Sequence, residues 1–374
     1  MDKILTIIIP AYNMEKYLDR CLSSLIVDKE LMPLFEVLVI NDGSKDKTSV
    51  IAHDFEQKYP QTFRTIDKEN GHYGSCVNRG LAEARGTFVK ILDADDAFSN
   101  RFKDYLNFLN NNKIREDADL ILSDVLVVND SGKIVNSFLY SQFNEKSDFS
   151  GLTSSDNSNW IIHGITYRTR LLIKMNYIQT EGIHYTDAEW SFKPLIHVRS
   201  IYKFANGALY LYTEGREGQS MSQTVRKKNL WMEAMVIENL VRYYETSIRI
   251  IDNSTAFDFM RNRLLNLIQS LYQINLLAYY EKGDDLSVLR SFDTNLKSYS
   301  DELYSITNKY STKILGLSFS PIKSFRENKK ELHTIQSIYR FADGMNNLLL
   351  KFKIRIKHTP NAFEGVVDNE SSQG

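Results

Sequence analysis

Residues 36–48, EVLVINDGSKDKT, and residues 87–96, TFVKILDADD, share one pattern: an apolar run that stops abruptly at polar and acidic residues. Leu5–Ile9 is a third such run, closed by Pro10. Short continuous apolar runs read as strands buried on both faces, as in a parallel sheet. Helix-like segments lie between them. Tyr17, Leu18, Cys21, Leu22 and Leu25 recur at helical spacing, and Asp46 stands where a cap would precede a helix carrying Val50, Ile51 and Phe55 on one side. Thr62–Ile66 reads as a strand, Gly74–Ala84 as a helix and Thr87–Leu92 as a fourth strand. Strands alternating with helices of this length predict βαβ units, hence an α/β fold with a mainly parallel, doubly wound central sheet. Ligands of such sheets sit outside the carboxyl ends of the strands. Pro10–Asn13, Asn41–Ser44 and Asp93–Asp96 each follow a strand, so three polar loops are expected on one edge.

Farther along, the pattern is strand-rich from about Asp119, with a polar loop through Ser147–Asn159 and a further pair of short strands around Ser200–Thr213. After about Lys227 it becomes helical: Asn229–Ile248 and Phe257–Lys282 show long helical periodicity, and more helix follows to about Asn308. A boundary is placed near Gly218–Lys228. It separates an α/β domain over residues 1–220 from a helical region over 221–358 that would serve contacts with other molecules, a membrane or a second copy. Residues 359–374 read as a disordered tail.

Composition narrows the classes. Lys and Arg total 46 against 47 Asp and Glu, a formal net charge of −1, so no global field favours nucleic acid. Two cysteines, Cys21 and Cys76, are too few for a disulfide framework or a zinc site and suit a reducing compartment. The N-terminal apolar run lacks a basic flank and a cleavage site, and no apolar stretch is long enough to span a bilayer. A cytoplasmic protein is expected, with contact at the inner face of the membrane. Leu348–Lys357, LLLKFKIRIK, alternates apolar and cationic residues and could supply that contact, or be an exposed strand or helix edge.

Asp93-Ala94-Asp95-Asp96 is the strongest chemical feature. Carboxylates this close repel unless a cation or hydrogen-bond donors neutralise them. Hard oxygen ligands suit Mg²⁺ or Mn²⁺ shared with nucleotide phosphates; the plainer reading is a solvated turn in which Asp96 caps the helix near Asn100–Leu109. Asp42 in its Asp-Gly-Ser turn could accept hydrogen bonds from a base, with Tyr12 offering an aromatic face. Asn70-Gly71-His72-Tyr73-Gly74 opens a helix, and its glycines would let backbone approach a ligand. It matches neither a P-loop nor the dinucleotide fingerprint. Asp187 could act as a general base with Trp190 walling a sugar ring, or Asp187 and Glu189 could simply charge the start of a helix through Trp190–His197. Arg216, in a Gly-rich stretch, could close over a pyrophosphate. The seven histidines show no metal-ligand spacing, and His163 reads as a satisfied half-buried residue.

TIIIPAYNMEKYLDRCLSSL, then EVLVINDGSKDKT, then ENGHYGSCVNRGLAEARGTFVKILDADD, resemble family 2 glycosyltransferases in order and spacing, over roughly residues 1–220. The resemblance implies a GT-A type fold, a Rossmann-like nucleotide-binding domain, and an inverting hexosyl- or N-acetylhexosaminyl-transferase that uses a nucleotide-sugar donor, commonly a UDP-sugar. Pro10, Ala11, Tyr12 and Asn13 would border the nucleotide, with Asn70 and Gly71 beside it, and Asp42 would bind its base. Asp93, Ala94 and Asp95 would form the DXD motif, with Asp95 the direct metal ligand and Asp93 nearer the ribose. Asp187 matches the catalytic base, with Thr186 in place of the usual Glu, and Arg216 would lie on a donor-covering loop before Ser220. The Gln-x-x-Arg-Trp signature of processive synthases is absent. The acceptor would be a glycan or lipid-linked molecule of bacterial surface polysaccharide assembly. Two other readings compete: a non-catalytic glycan- or partner-binding module of the same fold, which need not keep Asp93, Asp95 and Asp187, and a sugar nucleotidyltransferase, whose basic triphosphate loop PAYNMEKY does not supply.

Overall fold

The computed structural model describes residues 3–129, 131–143, 146–214, 223–278, 285–328 and 331–351. The chain divides into one unit of Met1–Val225 with Thr246–Met260 and a second of Arg226–Glu245 with Arg261–Gly374. The first begins β1 (Leu5–Ala11), α1 (Leu18–Ser23), β2 (Phe35–Asn41), α2 (Thr48–Lys58), β3 (Phe63–Asp67), α3 (His72–Glu83) and β4 (Phe88–Ile91). It continues through β5 (Ala97–Phe98), α4 (Phe102–Leu109), α5 (Asn112–Asp117), β6 (Leu120–Ser123), β7 (Val125–Val128) and β8 (Ile134–Phe138). Then come α6 (Ser154–Ser158), β9 (Ile165–Arg168), α7 (Thr169–Lys174), α8 (Asp187–Trp190), β10 (Ile201–Phe204) and β11 (Tyr210–Thr213).

The central sheet has the order β10-β6-β9-β4-β1-β2-β3. β3, β2, β1 and β4 run parallel, as the apolar runs predict, and every residue of β1, β2 and β4 is buried. Pro10 lies inside β1 and does not interrupt it, because β4 pairs with β1 only from Leu5 to Ile8. β9 then enters antiparallel to both β4 and β6, while β10 is parallel to β6. A second sheet, β5-β11-β7-β8, lies beyond the acidic turn that ends β4.

Several local readings are corrected. Val50 is 59% exposed, and the inner side of α2 is made by the buried Thr48 and Ala52 with Ile51 and Phe55 partly buried against the core, as expected for those two. The polar stretch 147–159 contains α6, closed by a capping box in which Thr153 and Asp156 satisfy each other's backbone N–H. The two strands of Ser200–Thr213 do not pair with each other, since β10 joins the central sheet and β11 the second one.

From Gln223 the chain is helical: α9 (Gln223–Lys228), α10 (Leu230–Ser247), α11 (Ser254–Gln273), α12 (Ser287–Tyr299), α13 (Asp301–Asn308), α14 (Pro321–Arg326) and α15 (Glu331–Lys351). A small hairpin, β12 (Thr312–Ile314) and β13 (Leu317–Phe319), interrupts the helices, and the helical reading does not anticipate it. Inside the second unit Tyr272 meets Phe292 and Phe325 edge-on or tilted, and the Arg326 guanidinium lies 3.7 Å from the Tyr304 ring centre while donating to Asp293 at 2.7 Å. No helix among the described residues is long and apolar enough to cross a membrane. Of the stretch Leu348–Lys357, residues from Phe352 on lie outside the described residues, as do residues 359–374.

Close backbone approach holds the parallel strands to their crossovers. A Cβ on Gly86, just before β4, would stand 2.4 Å from the Thr6 amide nitrogen and 2.5 Å from the Leu5 carbonyl carbon. Gly86→Ala should therefore destabilise the protein by about 1–3 kcal/mol, as overpacking does. An unfolding midpoint equal to that of the wild type would show that β4 can shift away from β1 without cost.

Candidate functional site

Strand direction places the site. β1, β2 and β4 deliver Tyr12, Asp42 and Asp93 to one edge, and side-chain bonds lace the loops together. Asn13 N donates to Ser44 Oγ at 3.0 Å, and Asn13 Oδ1 accepts from Lys45 N at 2.8 Å. Asp46 accepts from Glu15 N at 3.0 Å as well as from Thr48 N at 3.0 Å, so it joins two loops while serving the start of α2. The third loop attaches through Asp42. Its Oδ1 accepts from Gly71 N at 2.9 Å and from Lys68 Nζ at 2.7 Å, and Asn70 Nδ2 donates to Asp42 O at 3.0 Å. The Lys68 ammonium also donates to Ser75 Oγ and Glu69 O, which uses its three donors. Asp42 is buried at 3% exposure, whereas Tyr12 is 45% exposed and presents an open aromatic face. Pro10, Ala11 and Ala94 are buried, so within their loops Tyr12, Asn13, Asp93 and Asp95 are the residues whose side chains reach the surface.

Tyr210 braces the acidic turn. Its hydroxyl accepts from Asp93 N at 3.1 Å and donates to Asp96 Oδ2 at 2.7 Å; Thr213 N donates to Asp96 Oδ1 at 2.7 Å. Asp96 thus does not cap α4, which has no side-chain cap bond. Burial, then the charges of Asp93 and Asp95, hold the Asp96 carboxyl well above the usual range. Tyr73, in the first turn of α3, donates to Asp93 Oδ1 at 2.8 Å. Arg20 Nη2 donates to Asp95 O and, at 2.8 Å, to Thr213 Oγ1.

His163 is the residue that sequence reasoning misses. Because β9 is antiparallel to β4, the start of β9 lies beside the end of β4, and His163 Nδ1 stands 4.0 Å from Asp93 Oδ2. Its ring lies against Tyr210 and Tyr212, with centroids 4.6 and 5.0 Å away. Burial, helped by Lys90, pushes its pKa down to about 3, so the imidazole is neutral. Lys90 is itself fully buried. It donates to His163 O at 2.7 Å and Ile165 O at 3.3 Å, and burial lowers its pKa to about 7. The only sequence signal was a His-Gly pair ahead of an unassigned apolar segment.

One oxygen each of Asp93 and Asp96 and one nitrogen of His163 lie within 4.8 Å of one another. Carboxylates crowded until one is forced toward its neutral form, beside an imidazole held neutral, fit a divalent cation of the Mg²⁺ or Mn²⁺ type. Both Asp96 oxygens accept protein donors and Asp93 Oδ1 accepts from Tyr73, while Asp93 and Asp95 are half-buried rather than buried.

Asp187 is exposed in the first turn of α8, and the segment before α8 packs against α3. A Cβ on Gly74 would stand 1.9 Å from Thr180 O, so α3 and the segment before α8 are in direct backbone contact. The closeness these glycines allow is thus to the protein's own Thr180 and, for Gly71, to Ser75. Gln179 Nε2 donates to the buried Thr186 Oγ1 at 3.0 Å, and the fully buried Glu189 accepts from Thr180 N at 2.6 Å and pairs with Lys193 at 2.8 Å. Burial first, then the charge of Asp93 and, to a smaller extent, that of Asp187, raise the Tyr73 pKa well above the usual value. Trp190 cannot wall a sugar. It is 0% exposed and packs against Tyr167 and Tyr177. Arg216 and Ser220 lie outside the described residues.

Tyr210→Phe should leave Asp96 Oδ2 buried without its donor and cost about 1–3 kcal/mol in denaturant unfolding; an unchanged midpoint would remove Tyr210 as the brace. The second expectation concerns Lys90. With a folded pKa of about 7 against an ordinary value near 10.4, the unfolded chain binds more protons between them, so stability rises with pH across that window. Wild type should gain on the order of 1 kcal/mol per pH unit relative to Lys90→Met from about pH 7 to 10. Parallel pH profiles would mean that Lys90 does not titrate there.

Residues 6–132 match the family described as Glycosyl transferase family 2. Over 253 residues, 66% of this chain, the sequence is 25% identical to the minor teichoic acid biosynthesis protein GgaB of Bacillus subtilis, covering 27% of that protein. It is 28% identical over 234 residues to the poly(ribitol-phosphate) beta-N-acetylglucosaminyltransferase TarS of Staphylococcus aureus, covering 62% of this chain and 39% of TarS. The chain therefore spans roughly a quarter to two-fifths of the length of these relatives. The crystal structure of S. aureus TarS 1–349 in complex with UDP-GlcNAc aligns at a TM-score of 0.63 and 19% identity, over 91% of this chain and 92% of that one, a likeness of fold.

Proposed function

Because residues 6–132 match glycosyl transferase family 2 and the fold is of the GT-A type, we propose that the chain is a member of that family and transfers a sugar from a UDP-sugar to a glycan or polyol-phosphate polymer, with inversion at the anomeric carbon. One observation supports the reading: Asp42 and Asp93, far apart in sequence, follow parallel strands to one edge of the sheet, and Tyr73, which donates to Asp93, comes from the helix that packs against the segment before Asp187. Tyr12 and Asp42 take the base, with Asn13, Asn70 and Gly71 shaping its rim. Asp93 and Asp95 face the ribose and diphosphate.

The chemistry asks for one displacement. The acceptor hydroxyl gives its proton to Asp187 as its oxygen bonds to the anomeric carbon; the bond from that carbon to the diphosphate breaks on the opposite face. Asp187 suits this role because it is exposed, whereas Glu189 is fully buried. A divalent ion held by Asp95 and Asp93, with His163 and Asp96 behind them, would supply charge stabilisation to the departing diphosphate. Tyr73 fixes the Asp93 carboxylate and Tyr210 the backbone of the turn, so the site is ordered before the donor arrives. UDP-GlcNAc is the first donor to test, because it is bound in the TarS relative of this fold.

Purified protein with Mn²⁺ should release UDP from one UDP-sugar, and EDTA or Asp95→Ala should abolish the release. Asp187→Asn should cut turnover by about 10²–10⁴-fold, the usual contribution of a general base, while UDP binding by calorimetry is retained. If no nucleoside diphosphate binds with metal and no donor is consumed, the chain is a binding module of this fold instead.

A further inference from the structure

The opposite edge of the sheet carries a second polar site. β9 ends at Arg168, beside the start of β4, and β6 and β10 begin there at Leu120 and Ile201. A cleft of about 470 Å³ opens at this amino edge, lined by Asp119, Arg168, Arg170, Lys174, His197 and Arg199 among others. We propose that this cleft and the surface of α7 around it dock onto an anionic lipid bilayer, the cations taking headgroup phosphates and two exposed isoleucines entering the boundary with the acyl chains. The inference does not rest on the transferase reading.

The first observation is charge. Four permanent cations surround one carboxylate, in a chain whose formal net charge is only −1. That carboxylate is engaged: Asp119 Oδ2 accepts from Arg199 N at 2.9 Å, and Oδ1 lies 3.9 Å from Arg168 Nε. Arg168 forms the half-buried floor. Its Nε and Nη1 donate to Ala118 O at 2.7 Å and Arg115 O at 2.9 Å, while Nη2 is buried with no hydrogen-bond partner among the described residues. Arg170 and Lys174 are exposed one turn apart on α7, and neither has an ion-pair partner among the described residues. Like charges at that spacing repel, so an anion is the missing element. Burial, with the Arg170 charge adding to it against those of Asp119 and Asp117, holds Arg168 below its usual range. Arg199 spends one donor on Asp252 O at 2.7 Å.

The second observation is apolar. Ile173 lies between Arg170 and Lys174 and is 58% exposed; Ile178, four residues beyond Lys174, is 68% exposed. A free phosphate or a sugar phosphate has no use for bare isoleucines outside its pocket. The bilayer interface satisfies both kinds of side chain at one depth.

The test is co-sedimentation of the full chain with vesicles of equimolar phosphatidylcholine and phosphatidylglycerol, against phosphatidylcholine alone. Binding is expected only with phosphatidylglycerol. The double variant Arg170→Gln/Lys174→Gln should weaken it about thirtyfold, at roughly fivefold per cation near an anionic surface. Ile173→Ser/Ile178→Ser should also weaken it while leaving the salt dependence in place. All four side chains are exposed, and unchanged circular dichroism and thermal midpoint certify the fold of each variant. The proposal is overturned if anionic vesicles do not pellet the protein, or if they pellet the α7 variants as well as wild type. The second case includes binding abolished only by replacing Lys351, Lys353 and Arg355 with Gln, which would assign it to the C-terminal stretch. Inorganic phosphate raising the thermal midpoint in an Arg170-dependent way, without vesicle binding, would make this a free-anion site and equally overturn it.

Discussion

Three carboxylates in the four residues after β4 repel one another, and the rest of the site is arranged around restraining them. Tyr210 and Thr213 arrive on β11 to hold Asp96, the first through its hydroxyl and the second through its amide. The same Tyr210 oxygen accepts the Asp93 amide, which fixes the backbone of the turn. Tyr73 comes from α3 to Asp93, and Arg20, just inside α1, reaches Asp95 O and Thr213. Donors from segments as much as 193 residues apart thus converge on one turn. Such a network leaves the turn ordered yet electrostatically incomplete, since Asp96 is still forced toward its neutral form. A cation would complete it.

The Asp42 side of the edge is organised by a different means. There, few charges are buried, and order comes from short side chains bonded to the backbone of neighbouring loops: Asn13 with Ser44 and Lys45, Asp46 with Glu15, Asp42 with Gly71. Lys68 offsets the one buried carboxylate and ties it to the start of α3. Because α3 also carries Tyr73 and touches Thr180, a single helix connects the Asp42 loop, the acidic turn and the segment leading to Asp187. At the amino edge Arg168 and Arg199 are tied to backbone carbonyls, and the cations lining the cleft outnumber its one carboxylate.

Much of this was legible from residue pattern. Buried parallel strands need continuous apolar runs, and β1, β2 and β4 are such runs, so their order and the edge they serve follow from local sequence. The loops after them had to be polar because they leave the core at its rim. Less legible were elements whose identity depends on a partner. β9 is four residues long and sits between strands from distant parts of the chain. β5 has only two residues, and β10 and β11 look like a hairpin but separate into two sheets. Val50 shows the same limit at the scale of one residue: an apolar side chain at helical spacing, left in solvent because α2 buries its other side.

The sequence by itself determined the alternation of strands and helices, the carboxyl-edge position of Tyr12, Asp42, Asp93 and Asp95, and the resemblance that attached roles to them. Each depends on periodicity and short spacing, which are properties of adjacent residues. Tertiary structure alone decided that His163 stands beside Asp93, that Tyr210 braces the turn, that Trp190 is core, and that Arg168 shares a cleft with Arg199. These depend on strand direction and on which elements pair, and pairing is set by burial across the whole sheet, which no local stretch of sequence encodes.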